Sequence, residues 1–154
     1  MTPLRILLAE DNPGDVFLVR QALNHHRVEY ELTVAVDGKK AWELIEVAES
    51  DSSNRFTFFL LDLNLPVRPG LELLVRIRQS SSPIARAPVV IVTSSDAERD
   101  HHSTSQAGAD YFFRKPTTLE EFLGLGAIVQ ALWKEWLRHE NDPPDRVGPK
   151  EAYE

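Results

Sequence analysis

Four apolar runs of this chain each lead to a side chain able to do chemistry. "LRILLAED" delivers Glu10 and Asp11, "FTFFLLD" stops on Asp62, "PVVIVTS" closes on Thr93 and Ser94, and "YFF" leads through Arg114 to Lys115. If these ends share one place, three carboxylates meet there, and close negative charges are unfavourable unless something neutralises them. A hard divalent cation does so with oxygen ligands, and Mg²⁺ suits a site of few protein ligands and several waters. The chemistry implied is phosphoryl transfer: Asp62 as carboxylate nucleophile, the metal and Lys115 for the oxygens, and Thr93 for a further hydrogen bond. Each residue alone has a plainer reading. Acids after a strand often cap the next helix, Asp62 could be a turn residue, Thr93 a strand end, and Lys-Pro a surface turn. Four different strand ends carrying four complementary groups favour the functional reading.

The elements that must position these residues follow from periodicity. Strands are expected over 4–10, 30–36, 56–62, 88–94 and 111–113, and helices over 14–26, 38–49, 70–79, 96–109 and 118–140, with loops at 50–55 and 80–87. Five βα units with unalternating apolar strands imply a parallel sheet under two helical layers. The fold class is therefore α/β: a doubly wound, flavodoxin-like three-layer sandwich with strand order 2-1-3-4-5. In such sheets the site lies beyond the carboxyl ends of the strands, at the switch point between the first and third. One domain is expected over 4–138, followed by a polar tail over 139–154 and no output domain.

Composition bounds the rest. The chain has 154 residues, no cysteine and a net charge of −7. The absence of thiols suits a reducing cytoplasm, and the acidic balance argues against nucleic acid as partner. No apolar stretch approaches the roughly 18 residues that a membrane helix needs, and "MTPLRILLAED" lacks the features of a signal peptide.

The segments "LLAEDNPGD", "LLDLNLPVRPG", "VVIVTSS" and "GADYFFRKP" resemble the receiver domain of two-component response regulators, over roughly residues 4 to 138. The resemblance implies that Asp62 accepts a phosphoryl group from a histidine of a sensor histidine kinase, with Mg²⁺ required. It implies that Glu10, Asp11, Asp62 and the backbone carbonyl of Asn64 hold the metal. Lys115 would pair with Asp62 and then with the phosphoryl oxygens, while Thr93 and Ser94 bind the phosphoryl group. Thr93 and Phe112 would form the switch, and the Lys115–Pro116 bond would be cis. The opening "EDNPGDVFLVRQAL" is similar to that of stand-alone receivers serving bacterial and cyanobacterial phytochromes.

Three departures stand out. Phe112 replaces the usual Tyr and so lacks a hydroxyl, Phe56-Thr57 replaces a common Pro-Asp, and Pro69 precedes Gly70 where an acid or Met is common. Other functions fit these residues less well. An aspartyl-phosphate phosphatase needs an acid two residues after its nucleophile, where this chain has Asn64. A flavin-binding protein needs a phosphate loop, which "EDNPGD" would repel. A degenerate receiver acting only as a docking module would not keep every catalytic residue type. Asn64 and Ser95 are the polar neighbours expected to set the phosphoryl lifetime.

The final helix carries more apolar surface than one contact needs. Leu119, Phe122, Leu123, Val129, Trp133 and Leu137 suffice to cover the sheet, and Leu125, Ile128, Leu132 and Trp136 widen the arc to roughly twice that of a one-sided helix. An excess of this kind marks a second contact. Receivers commonly pair through helix 4, strand 5 and helix 5, so a two-fold homodimer is expected, with Ile128, Leu132 and Trp136 near its centre. Phe58 and Phe59 read as core, Trp42 as partly buried, and His101 with His102 as a solvated pair.

Overall fold

The computed structural model describes residues 2–51, 53 and 55–140. The tail expected from residue 139 lies outside the described residues from 141 onward. His139 itself still belongs to the last helix.

Strand and helix alternate throughout: β1 (Arg5–Ala9), α1 (Pro13–His25), β2 (Glu31–Ala35), α2 (Gly38–Ser50), β3 (Phe58–Leu61), α3 (Gly70–Arg78), β4 (Val89–Thr93), α4 (Glu98–Gln106), β5 (Tyr111–Arg114) and α5 (Leu119–His139). The five strands are parallel, in the order β2-β1-β3-β4-β5. The loop expected over 80–87 contains a 3₁₀ turn at Pro83–Arg86, capped by Ser82.

The unbroken apolar runs are explained by a core on each side of the sheet. Ile6, Leu8, Phe58, Leu60, Val90 and Val92 face Val19, Ala22 and Leu23 of α1 and Phe122, Leu125 and Val129 of α5. The alternate residues Leu7, Ala9, Phe59, Leu61, Val89 and Ile91 face Ala41 and Ile45 of α2 and Leu73, Leu74 and Ile77 of α3. Burying a side chain such as Phe58 or Leu60 contributes about 1.5–3 kcal/mol. Because both faces are covered, the three central strands cannot alternate with polar residues. β2 does alternate, with Glu31 and Thr33 exposed, because it is an edge strand.

α5 corrects the expected partition of its apolar residues. Its buried stripe is Phe122, Leu125, Gly126 and Val129. Leu125, assigned to the excess, is fully buried, whereas Leu119, assigned to the sheet, is 55% exposed. The reason is close packing against α1: a Cβ at position 126 would stand 2.1 Å from the carbonyl oxygen of Ala22. Gly126 thus fixes the rotation of α5 about its axis. Ile128, Leu132 and Trp133 rest partly buried at the edge of that core. Trp136 stacks on Trp133, with centroids 5.0 Å apart and planes within 7°, and its Nε1–H donates to the carbonyl of Arg86 at 3.1 Å.

Arg78 ties α3 to the starts of β4 and β5. Its guanidinium donates to the carbonyls of Ala85, Ala87 and Gly108 and to the carboxylate of Asp110. Asp110 in turn accepts from the Val89 amide at 2.8 Å. This clamp sits at the opposite end of the sheet from the rim that carries the acids.

Candidate functional site

Backbone pairing that runs past the strands brings the site together. The Glu10 amide donates to Ala35 O at 2.9 Å, the Asp62 amide to Ala9 O at 3.0 Å, and the Lys115 amide to Thr93 O at 2.7 Å. Each functional residue is therefore one more rung of the ladder, held by the same bonds that hold the sheet. Gly70 lets the next loop close over the rim, since a Cβ there would lie 2.1 Å from the Asp62 carbonyl oxygen.

Glu10, Asp11 and Asp62 each bring one carboxylate oxygen to within 4.8 Å of the others. Glu10 and Asp62 are buried and Asp11 is exposed. Lys115 Nζ reaches Glu10 Oε1 at 2.7 Å, Asp15 Oδ2 at 2.7 Å and Asp62 Oδ2 at 3.0 Å. The Asn12 amide donates to Glu10 Oε2 at 3.1 Å, and the Asn64 amide to Asp62 Oδ1 at 3.2 Å.

Burial pushes the Glu10 carboxyl up to about 7, although Lys115 and the Asn12 amide pull it down and Asp62 raises it further. Burial works against the Lys115 charge too, but bonds to Asp15, Glu10 and Asp62 outweigh it and raise the ammonium above the usual lysine range. One cation thus serves several acids, and a buried carboxyl still resists ionisation. This is the electrostatic condition that a hard divalent cation relieves, so the residues fit the metal expected from their types.

Thr93 is fully buried and its hydroxyl oxygen accepts from the Ser95 amide at 3.3 Å, while Ser94 is exposed. Ser95 Oγ donates to Asp100 Oδ2 at 2.6 Å, which ties the loop after β4 to α4. Phe112 is partly buried, and the His101 ring meets it edge-on with centroids 4.9 Å apart. The two histidines are exposed as expected, but His101 is not simply solvated: it covers Phe112, the residue expected at the switch.

The Lys115–Pro116 bond is not cis, contrary to expectation; no peptide bond among the described residues is. The Thr93–Lys115 backbone bond and the length of the lysine side chain together bring Nζ to the acids.

Two features escaped the sequence reading. Asp15 reads as an ordinary acid in a helix's first turn, and only the three donors of a lysine ammonium hint that another partner is needed. The other is Val67, which takes φ +73° in the loop after Asp62. A β-branched residue is rarely found there, and such strain costs about 1–3 kcal/mol. The loop is held by the Gly38 amide donating to Pro66 O at 3.0 Å and by the Arg68 guanidinium lying 4.0 Å from the Trp42 ring centroid.

Comparison with known proteins agrees with this geometry. Residues 6–125 match the family model of the response regulator receiver domain. Response regulator Rcp1 of Synechocystis sp. is 31% identical over 134 residues, covering 86% of this chain and 90% of Rcp1. The crystal structure of the phosphorylated cyanobacterial phytochrome response regulator RcpA superposes with a TM-score of 0.76 at 28% identity, over 86% of this chain and 95% of that one. The Mn²⁺-bound form of response regulator Rcp1 superposes with a TM-score of 0.74 at 31% identity, over 85% of this chain and 94% of that one.

Proposed function

The chain belongs to the response regulator receiver domain family, a family of phosphoryl-accepting signalling switches, and from that premise we propose that Asp62 is the acceptor of its phosphoryl group. The observation that carries this reading is the placing of Asp62: buried, beside the two acids of β1, and 3.0 Å from Lys115. An Asp62 carboxylate oxygen bonds to phosphorus as the bond from phosphorus to the kinase's histidine nitrogen breaks. The electron pair stays on that nitrogen, which takes up a proton.

Lys115 meets the charge on the transferring oxygens. Thr93 turns its hydroxyl toward the same group, and Ser94 adds to the binding. Glu10, Asp11, Asp62 and the Asn64 carbonyl would hold Mg²⁺, which when bound supplies further positive charge to those oxygens. The Mn²⁺-bound Rcp1 structure supports a divalent cation at this acidic cluster. The protein's chemistry is on itself, taking the group and slowly hydrolysing it, and it signals from the cytoplasm by binding a partner.

The kinase is a phytochrome-linked histidine kinase, a reading supported by RcpA, whose own description names a phytochrome. Incubating the protein with such a kinase, ATP and Mg²⁺ tests it. Label should move from kinase to this chain, and failure with phytochrome-linked kinases but success with others would overturn the partner assignment.

The same reading includes a homodimer through α4, β5 and α5. Ile128 and Leu132 keep apolar surface at the rim of the core, while the Trp136 bond to Arg86 leaves a narrower patch than the sequence implied. Leu132→Glu should sediment as a folded monomer. A wild-type protein that is monomeric at tens of micromolar, with and without a phosphoryl analogue, would refute the dimer.

A further inference from the structure

We propose that Asp15 is a positioning residue for the phosphoryl reaction: it anchors the Lys115 ammonium while the other two partners of that ammonium are engaged elsewhere. The inference rests on the reading that Lys115 serves the phosphoryl group of Asp62. A lysine ammonium has three N–H donors. Here Glu10, Asp15 and Asp62 lie at 2.7, 2.7 and 3.0 Å from Nζ, one acceptor for each donor.

Two of these acceptors have a second duty. Glu10 and Asp62 belong to the acidic cluster with Asp11, and Asp62 also becomes the bond partner of phosphorus. Their oxygens are drawn from the ammonium when the site is loaded. Asp15 is outside that cluster. It stands on the first turn of α1, where the Asn12 side chain accepts from the Gly14 amide at 2.8 Å and from the Asp15 amide at 3.3 Å. This cap fixes the turn that carries Asp15, and the Asp15 carboxylate, with 23% of its side chain exposed, is neither in the acidic cluster nor the acceptor of phosphorus. The Asp15–Lys115 pair therefore persists in both states. It sets where the two freed N–H groups point, toward the oxygens on Asp62. Without it the ammonium keeps its charge but loses a fixed location, and misplacement of a catalytic group slows a reaction even when binding is intact.

The test compares wild type, Asp15→Asn and Lys115→Ala in phosphorylation by phosphoramidate at saturating Mg²⁺, with Mg²⁺ affinity measured by calorimetry. Asp15→Asn should lower the phosphorylation rate constant by about five- to tenfold, the scale of a charge-assisted hydrogen bond reduced to a neutral one because the Asn amide oxygen can still accept, with Mg²⁺ affinity changed by less than about twofold. In the Lys115→Ala background the same change should add nothing, because an anchor has no effect without the group it holds. Asp15→Ser, neutral and smaller, carries the test should the Asn variant fail to fold, and should slow the reaction at least as much. A wild-type rate in either variant overturns the proposal, as does equal slowing with and without Lys115, which would make Asp15 a structural residue. A Lys115→Ala protein that labels at the wild-type rate would instead refute the role of Lys115 on which the proposal stands.

Discussion

The rim of the sheet has two halves that differ in how tightly they are held. On the β1–β3 side, Glu10 and Asp62 are buried, Lys115 Nζ bonds three carboxylates, and backbone amides cover two of the remaining oxygens. On the β4–β5 side, the Thr93 hydroxyl accepts one bond at 3.3 Å, Ser94 is exposed, and Phe112 is half covered by the edge of a surface histidine. The first half is a fixed arrangement of charge. The second holds no such knot of buried charge: Ser95 ties its loop to α4 by one side-chain bond, and α4 buries only Thr104. A switch needs both: a site that does not move while chemistry occurs, and an element that can change state at small cost.

The comparison breaks if the charged half proves insensitive to its acids. Asp11→Ala should weaken Mg²⁺ binding at least tenfold, by the scale of ligand and ligand-support losses; unchanged affinity in calorimetric titration would refute the cluster as a metal site. The pH dependence should be nearly as large. Glu10 must lose its proton to hold a cation, and burial has pushed that step up to about 7. Mg²⁺ affinity should therefore fall toward tenfold per pH unit below that point, and Glu10→Gln should flatten the curve.

Metal-free stability runs the other way. The unfolded chain releases this proton near 4.5, whereas the native site keeps it up to about 7. The contribution of Glu10 is fully present below the lower value and is lost as pH rises through the higher one. Denaturant midpoints measured in chelator across this window would show it.

On the loosely held half, Thr93→Ala should still take the phosphoryl label, at a rate within about tenfold of wild type, since only a neutral hydrogen bond is lost. In the proposed switch Thr93 moves toward the phosphoryl group and Phe112 turns into the space it leaves, so this variant should lose the conformational response. If partner affinity still rises on phosphorylation as in wild type, the coupling fails. The smallest effect expected is at Val67. Glycine there removes the left-handed strain of about 1–3 kcal/mol and adds about 0.5–1 kcal/mol of unfolded-state freedom. Val67→Gly should therefore raise the thermal midpoint slightly, and a lowered midpoint would mean that the side chain contributes more than its backbone costs.

The same contrast explains what could be read in the sequence. Glu10, Asp11, Asp62, Thr93 and Lys115 were legible because each ends an apolar run that can only be a buried strand, and parallel strands carry their ends to one rim. Asp15 was hidden because its partner lies 100 residues away and nothing local distinguishes it from a helix-start acid. The His101–Phe112 contact was hidden for a similar reason, since it depends on how α4 packs and not on its pattern. The phase of α5 was misjudged at Leu119 and Leu125 because the decisive residue, Gly126, has no side chain to weigh in a hydrophobic pattern. The expected cis bond at Lys115–Pro116 came from resemblance and not from any residue that demanded it.

The most direct test of the account is phosphorylation of wild type and Asp62→Asn with a labelled donor in Mg²⁺, followed by hydroxylamine treatment and mapping of the label. The account predicts an acid-labile, hydroxylamine-sensitive label on the peptide containing Asp62 in wild type, and none in Asp62→Asn. Full labelling of Asp62→Asn, or a label mapped to another residue of the wild type, would contradict it.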